Sequence, residues 1–221
     1  MRKATFFALA VLLLIGASSA WAQGGRWVIQ PMAGYRTSGD FGLRPEVEVT
    51  TDVAGIRISD GFAYGLSLGY RLSPFVTMEA SWVRTVGMAQ AIPYYSGQPN
   101  IDLIDVAEDV IHANFLFYFG ENQYVKPFFV TGLGVTLADG KANETFPNPG
   151  NLSRFSWNLG LGVEKMFNEK MGFRAQAKWF TTYVNDQMAW WYDWWWGGYY
   201  LVPVSQYMGQ WEFTGGLIIR F

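Results

Sequence analysis

The sequence predicts an all-β fold, an eight-stranded antiparallel transmembrane up-and-down β-barrel. Three observations predict it. The N-terminal segment has the layout of an export signal, eight later segments alternate in hydropathy with a period of two, and the connections between those segments alternate long and short.

The export segment comes first. In "MRKATFFALAVLLLIGASSAWAQ" the cations Arg2 and Lys3 precede an apolar run from Phe6 to Ile15, and small residues end in Ala20-Trp21-Ala22. An apolar core of about ten residues is too short for a spanning helix, which needs roughly 20. The reading is a signal peptide over residues 1–22, cleaved after Ala22, followed by one barrel domain over 23–221. The chain has no cysteine, so an exported fold must hold together without disulfides. Lys and Arg number 16 against 18 Asp and Glu, a net charge of −2, and losing Arg2 and Lys3 makes it more negative. Nothing in that balance points to a nucleic-acid partner. No later apolar run approaches a membrane helix, yet half of the residues are apolar and 18% are aromatic.

Periodicity explains the apolar excess. The eight segments are roughly 26–36, 60–72, 75–86, 108–119, 126–138, 153–166, 170–182 and 209–221. In "FAYGLSLGYRL", Phe62, Tyr64, Leu66, Leu68, Tyr70 and Leu72 alternate with Ala63, Gly65, Ser67, Gly69 and Arg71. Only a strand presents a period of two, with one face greasy and the other small or polar. "FSWNLGLGVEK" and "GFRAQAKWF" repeat the pattern, with Phe155, Trp157, Leu159, Leu161 and Val163, then Phe173, Ala175, Ala177 and Trp179, on the greasy face. Each segment is about as long as a tilted membrane strand, roughly 9 to 11 residues, and an even number closes a barrel. Residues 37–59, 87–107, 139–152 and 183–208 are long links, whereas Ser73-Pro74, 120–125 and 167–169 are short. Short periplasmic turns and long extracellular loops give that rhythm. A closed ring leaves no unpaired edge, and lipid accepts the greasy outer face. The expected location is the cell outer membrane of a Gram-negative bacterium. In the first long link, "RPEVEVTTDVAGIRIS" alternates weakly and is expected to extend a hairpin above the membrane.

With "KPFFVTGLGVTL", "FSWNLGLGVEK" and the last strand "WEFTGGLIIRF", the chain resembles the small OmpA- and OmpX-type outer-membrane barrels. The resemblance implies an eight-stranded barrel. It also implies delivery to the barrel-insertion machinery through the C-terminal strand ending in Phe221. The chain stops at the eighth strand, so the wall anchoring of the best-known relative is not carried over.

Eight strands enclose a lumen that side chains can just fill. Alternation points Arg71, Glu79, Glu164, Arg174, Lys178, Glu212 and Arg220 inward. Cross-lumen ion pairs are expected, with Arg174 near Glu164 and Lys178 near Glu212. The favoured reading is that they satisfy one another and seal the barrel; the competing one is a narrow gated water path. Buried charges must be partnered or wet in either case. The only histidine, His112, also faces inward, and Glu79 or Ser81 on the preceding strand are its expected neighbours. No spacing motif supports a triad, so no catalytic residue, cofactor or metal is assigned and the protein is not expected to be an enzyme. The acidic run Asp102, Asp105, Glu108 and Asp109 matches no calcium-loop spacing and is expected to be a solvated loop entering the fourth strand.

The stretch "WWYDWWWGGYY" falls in the last extracellular loop, with eight aromatic rings and one charge, Asp193, in residues 190–200. Trp190, Trp191, Trp194, Trp195, Trp196, Tyr199 and Tyr200 suit a membrane interface or a contact surface. They are expected to fold onto the rim and outer leaflet beside a girdle marked by Trp179, Tyr183 and Trp211, or to bind lipopolysaccharide sugar. Gly197-Gly198 permits a tight turn there. The expected partners are outer-membrane lipid and lipopolysaccharide. The expected role is structural or surface-interacting, with a narrow porin-like channel for small or apolar solutes, resembling the OmpW type, as the alternative. A lipid-modifying barrel enzyme comes third.

Overall fold

A computed structural model describes residues 26–37, 39–42, 53–93, 99–120, 125–141, 151–183, 189–193, 198–202 and 207–221. The expected signal peptide over 1–22 lies outside them. Twelve strands are described: β1 (Trp27–Arg36), β2 (Gly39–Gly42), β3 (Val53–Ile58), β4 (Gly61–Ser73), β5 (Val76–Pro93), β6 (Ile101–Tyr118), β7 (Val125–Lys141), β8 (Asn151–Met166), β9 (Met171–Tyr183), β10 (Ala189–Asp193), β11 (Gly198–Val202) and β12 (Tyr207–Arg220). Eight of them close a ring. β1 pairs with β4, each of β4 to β9 pairs with the next in the ring, β12 pairs with β9, and β1 pairs with β12 to finish the circle. Every one of these pairings is antiparallel.

The two ends of the barrel differ. At one end, here the turn end, β4–β5, β6–β7 and β8–β9 are joined by short turns, and Trp27 and Phe221 exchange backbone hydrogen bonds of 3.1 Å. In the β6–β7 turn, Gly120 takes a φ of +84°, a left-handed conformation that glycine adopts without strain. The strand ends that the long links join lie at the other end, here the loop end. The expected hairpin extension of the first link is β2 against β3, and β3 runs on along the top of β5, Ile58 opposite Ala89. Within the last link, β10 and β11 form a separate two-stranded sheet.

Three strands run further toward the loop end than the sequence pattern marked. β5 continues to Pro93, β6 begins at Ile101 and β7 continues to Lys141. The residues between 94 and 100 are thus most of what is left of an expected link over 87–107. The acidic run is corrected accordingly, because Asp102, Asp105, Glu108 and Asp109 lie within β6 rather than in a solvated loop. Carboxylates there keep the period of two: Val106, Glu108 and Val110 are buried on one face while Asp105 is exposed on the other.

Burial is inverted relative to a protein in water. Leu161, Phe62, Leu133, Phe155 and Leu217 are among many exposed large apolar side chains, whereas Arg36, Arg174, Glu164, Glu212, Gln30 and Gln210 are almost wholly enclosed. An apolar belt of this extent needs a lipid solvent. Small apolar clusters remain inside, and one of them, Val28, Met166 and Ile218, lies at the turn end.

Candidate functional site

The lumen holds the chemistry, and it is filled in layers. Toward the turn end, Arg174 on β9 is fully buried and reaches in two directions. Its Nη1 donates to Glu79 Oε2 on β5 at 2.5 Å and to Gln30 Oε1 on β1 at 2.9 Å. Its Nη2 donates to Glu164 Oε2 on β8 and to the Tyr118 hydroxyl on β6, each at 3.0 Å. Tyr118 in turn donates to Glu164 Oε2 at 2.8 Å. The other oxygen of Glu164 accepts from Arg71 Nη2 at 3.3 Å and from Arg220 Nη2. Arg71, Glu79, Glu164, Arg174 and Arg220 therefore meet in one network that crosses the lumen. Arg174 also packs over the Phe128 ring, 5.5 Å from its centroid.

Uncharged amides and hydroxyls form the next layer. Asn114 Nδ2 donates to Ser81 Oγ, and Asn158 Nδ2 donates to Asn114 Oδ1, both at 2.9 Å. His112 Nε2 lies 2.9 Å from Ser156 Oγ. Its partner is therefore Ser156 on β8, not Glu79 or Ser81. Ser81 stands opposite His112 in register, but Asn114 takes its hydroxyl. The imidazole passes over Gly134 of β7, where a Cβ would meet His112 Cδ2 at 2.7 Å. Gly132 similarly leaves room for Asn114 Oδ1. The alternating glycines of "TGLGV" are thus the seats across which two polar side chains reach the strand beyond.

Toward the loop end, Arg36 Nη2 donates to Glu212 Oε2 at 2.8 Å and Arg36 Nη1 lies 3.5 Å from Glu108 Oε2. Lys178 Nζ is 2.8 Å from Glu212 Oε1, and Gln210 Nε2 donates to Glu108 at 3.4 Å. All of these side chains are buried. Arg36 and Glu108 were not among the sequence-marked lumen ions. In β1 the inward set Val28, Gln30, Met32, Gly34 and Arg36 mixes apolar and polar residues, so its alternation is faint. Asp109 faces outward and accepts from Trp82 Nε1 at 3.0 Å, with Arg84 Nη1 3.5 Å away. Among the described residues, no group of three His, Cys, Asp or Glu side chains is placed to hold a metal ion.

Aromatic pairs line the outside of β8, β9 and β12 toward the loop end. Trp157 and Trp179 meet edge-on at 5.3 Å, Tyr183 and Tyr207 at 5.4 Å, and Trp211 stacks with Phe213 at 6.1 Å. Beyond them, the β10–β11 pairing sets Trp190 opposite Leu201, Trp191 opposite Tyr200, and Tyr192 opposite Tyr199. Trp194, Trp195 and Trp196 lie outside the described residues, as do the side chains of the paired tryptophans and tyrosines.

Solved structures share this fold. OprG from Pseudomonas aeruginosa is 16% identical over 90% of this chain and 96% of its own, with a TM-score of 0.59. AlkL, solved by solid-state NMR in lipid bilayers, is 11% identical over 90% of each chain, with a TM-score of 0.58. Neisserial surface protein A is 14% identical over 88% of this chain and 97% of its own, with a TM-score of 0.56. No curated protein matches the sequence. The family model of the outer membrane protein beta-barrel domain matches residues 7–188, most of the chain. The protein belongs to that family of the cell outer membrane.

Proposed function

We propose that this barrel is a sealed structural and surface-interaction protein: its filled lumen stabilises a membrane-spanning wall, and its loop end displays contact surfaces. The observation that carries the reading is the stacking of three separately bonded layers of buried side chains along the lumen: the Arg174 network, the Asn114–Asn158 layer and the Arg36–Glu212 cluster. A barrel of eight strands has little room beyond such side chains. In this reading residues 1–22 are a cleaved signal, the turn end faces the periplasm, and the Trp-rich hairpin meets lipopolysaccharide or another surface. The strand ending in Phe221 is the segment presented to the insertion machinery. No enzymatic activity is included, because His112 and Ser156 are both enclosed within the wall-to-wall packing.

A second reading, a narrow channel for small or apolar solutes, draws on Ile58, Ala89 and Val106, which are buried on β3, β5 and β6 near the loop end. Single-channel conductance in a planar bilayer separates the two. The test compares the refolded barrel with a variant in which residues 187–200 are replaced by a short Gly-Ser link. Silence in both supports the sealed barrel. Conductance that changes with the deletion favours the channel, with the aromatic hairpin as its lid.

A further inference from the structure

We propose that the turn-end mouth of the lumen is a binding site for a small oxyanion of the phosphate class. The inference goes beyond the role proposed above and rests on charge. Among the described side chains of the turn-end lumen, the four cations Arg71, Lys126, Arg174 and Arg220 stand against two carboxylates, Glu79 and Glu164. The loop-end cluster differs, since Arg36 and Lys178 balance Glu108 and Glu212.

The acceptor oxygens of these two carboxylates are largely committed. Glu164 already accepts from Arg71 and Arg220 on one oxygen and from Arg174 and Tyr118 on the other. Glu79 is engaged by the fully buried Arg174. Lys126 stands directly opposite Glu164 in register, on the inward face of β7. Two guanidinium groups and an ammonium thus converge on a carboxylate whose acceptor positions are in use. Like charges brought together in a low-dielectric setting favour a further counter-ion.

Donor geometry points the same way. Arg71 Nε and Arg220 Nε hydrogen-bond to no protein atom, as holds also for the sealed Arg36 and Arg174, and each guanidinium spends its Nη2 on Glu164. Unlike Arg174, which is sealed in, the side chains of Arg71 and Arg220 remain 18% and 13% exposed, so an ion can approach from the turn end. A guanidinium offers five donors in a fork that matches the oxygens of phosphate, and an adjacent ammonium adds a point charge. Outward cations such as Lys165 are exposed on the other face and do not share this enclosure.

The phosphate group could come from a free ion or from a lipid headgroup. The test uses the full barrel refolded in detergent micelles, titrated with inorganic phosphate at constant ionic strength against chloride. Arginine Nε–H resonances and calorimetry are the readouts. The expected result is a saturable shift of the Arg71 and Arg220 Nε–H signals, absent with chloride, with roughly tenfold weaker binding in R71Q and in R220Q as one charge-assisted contact is lost. K126Q, which removes none of the ion pairs described, is expected to weaken binding while leaving heat-modifiable gel mobility unchanged, and K165Q is expected to bind as the parent does. A parallel titration with dihexanoyl phosphatidylglycerol assigns the source. Response to phosphate alone supports a free-ion site, and response to both supports headgroup capture. Phosphate affinity that is unaltered in K126Q, or no saturable response to either probe, overturns the proposal.

Discussion

His112 reaches across Gly134 to place Nε2 2.9 Å from the Ser156 hydroxyl, joining β6 to β8 over the intervening strand. The contact exists because Gly134 has no side chain.

Gly134→Ala should therefore destabilise the refolded barrel by about 1–3 kcal/mol, the usual range for overpacking. The added Cβ meets His112 Cδ2 at 2.7 Å and also crowds the Ile111 carbonyl oxygen. Gly69→Ala is the control, because its nearest neighbour is the Thr77 methyl at 3.1 Å. Urea unfolding of both variants in micelles checks the contrast, and equal stabilities would remove the seat role from Gly134. The double variant H112A/G134A should recover only part of the loss, since the backbone contact with Ile111 persists.

Arg174→Met should cost more. It leaves Glu79 and Glu164 in the lumen without their shared partner, and breaking one side of a buried pair typically costs about 3–5 kcal/mol. Adding Glu79→Gln to that variant removes one stranded charge and should restore part of the stability. A double variant as unstable as the sum of the two single ones would mean that Arg174 and Glu79 do not interact, which their 2.5 Å contact contradicts.

The Lys178–Glu212 pair is adjacent in register, so a double-mutant cycle of Lys178→Met and Glu212→Gln should give a coupling of about 0.5–3 kcal/mol. Its magnitude depends on Arg36, which shares Glu212, and coupling should rise once Arg36 is replaced by Met. Chemical unfolding of the set measures both quantities. No coupling in either background would show that Lys178 and Glu212 do not stabilise one another.

These pairs differ in how far they could be read from the sequence. Arg174 with Glu164 and Lys178 with Glu212 lie on neighbouring strands, so alternation and strand order suffice to bring them together. Arg174 with Glu79 joins β9 to β5 across the lumen, and its partners depend on strand tilt and stagger in the closed ring, which residue pattern does not encode. Arg36 escaped notice because its strand buries both Val28 and Gln30 on one face. Glu108 was hidden among acids that resemble a loop until their neighbours Val106 and Val110 are seen to share its inward face. Ser81 does stand opposite His112 as expected, but the hydrogen bond of the imidazole goes to Ser156, a choice that depends on Asn114 already bonding Ser81 and so is not encoded in strand pattern.

The outer face supplies the last prediction. Leu161 is 65% exposed on β8, flanked in register by Phe129 and Ala177, and sits about midway along the apolar belt. Leu72 is 52% exposed at the end of β4, beside the turn. A charge on the lipid face costs about 2–4 kcal/mol at the bilayer midplane and about 0–1 near the interface. Leu161→Arg should therefore lose about that larger amount in unfolding from lipid vesicles, and Leu72→Arg little. In detergent micelles, where the surroundings deform readily, the gap between the two should narrow. Equal costs in vesicles would mean that Leu161 does not face hydrocarbon, and the lipid-facing assignment of the whole odd-numbered face of β8 would fall with it.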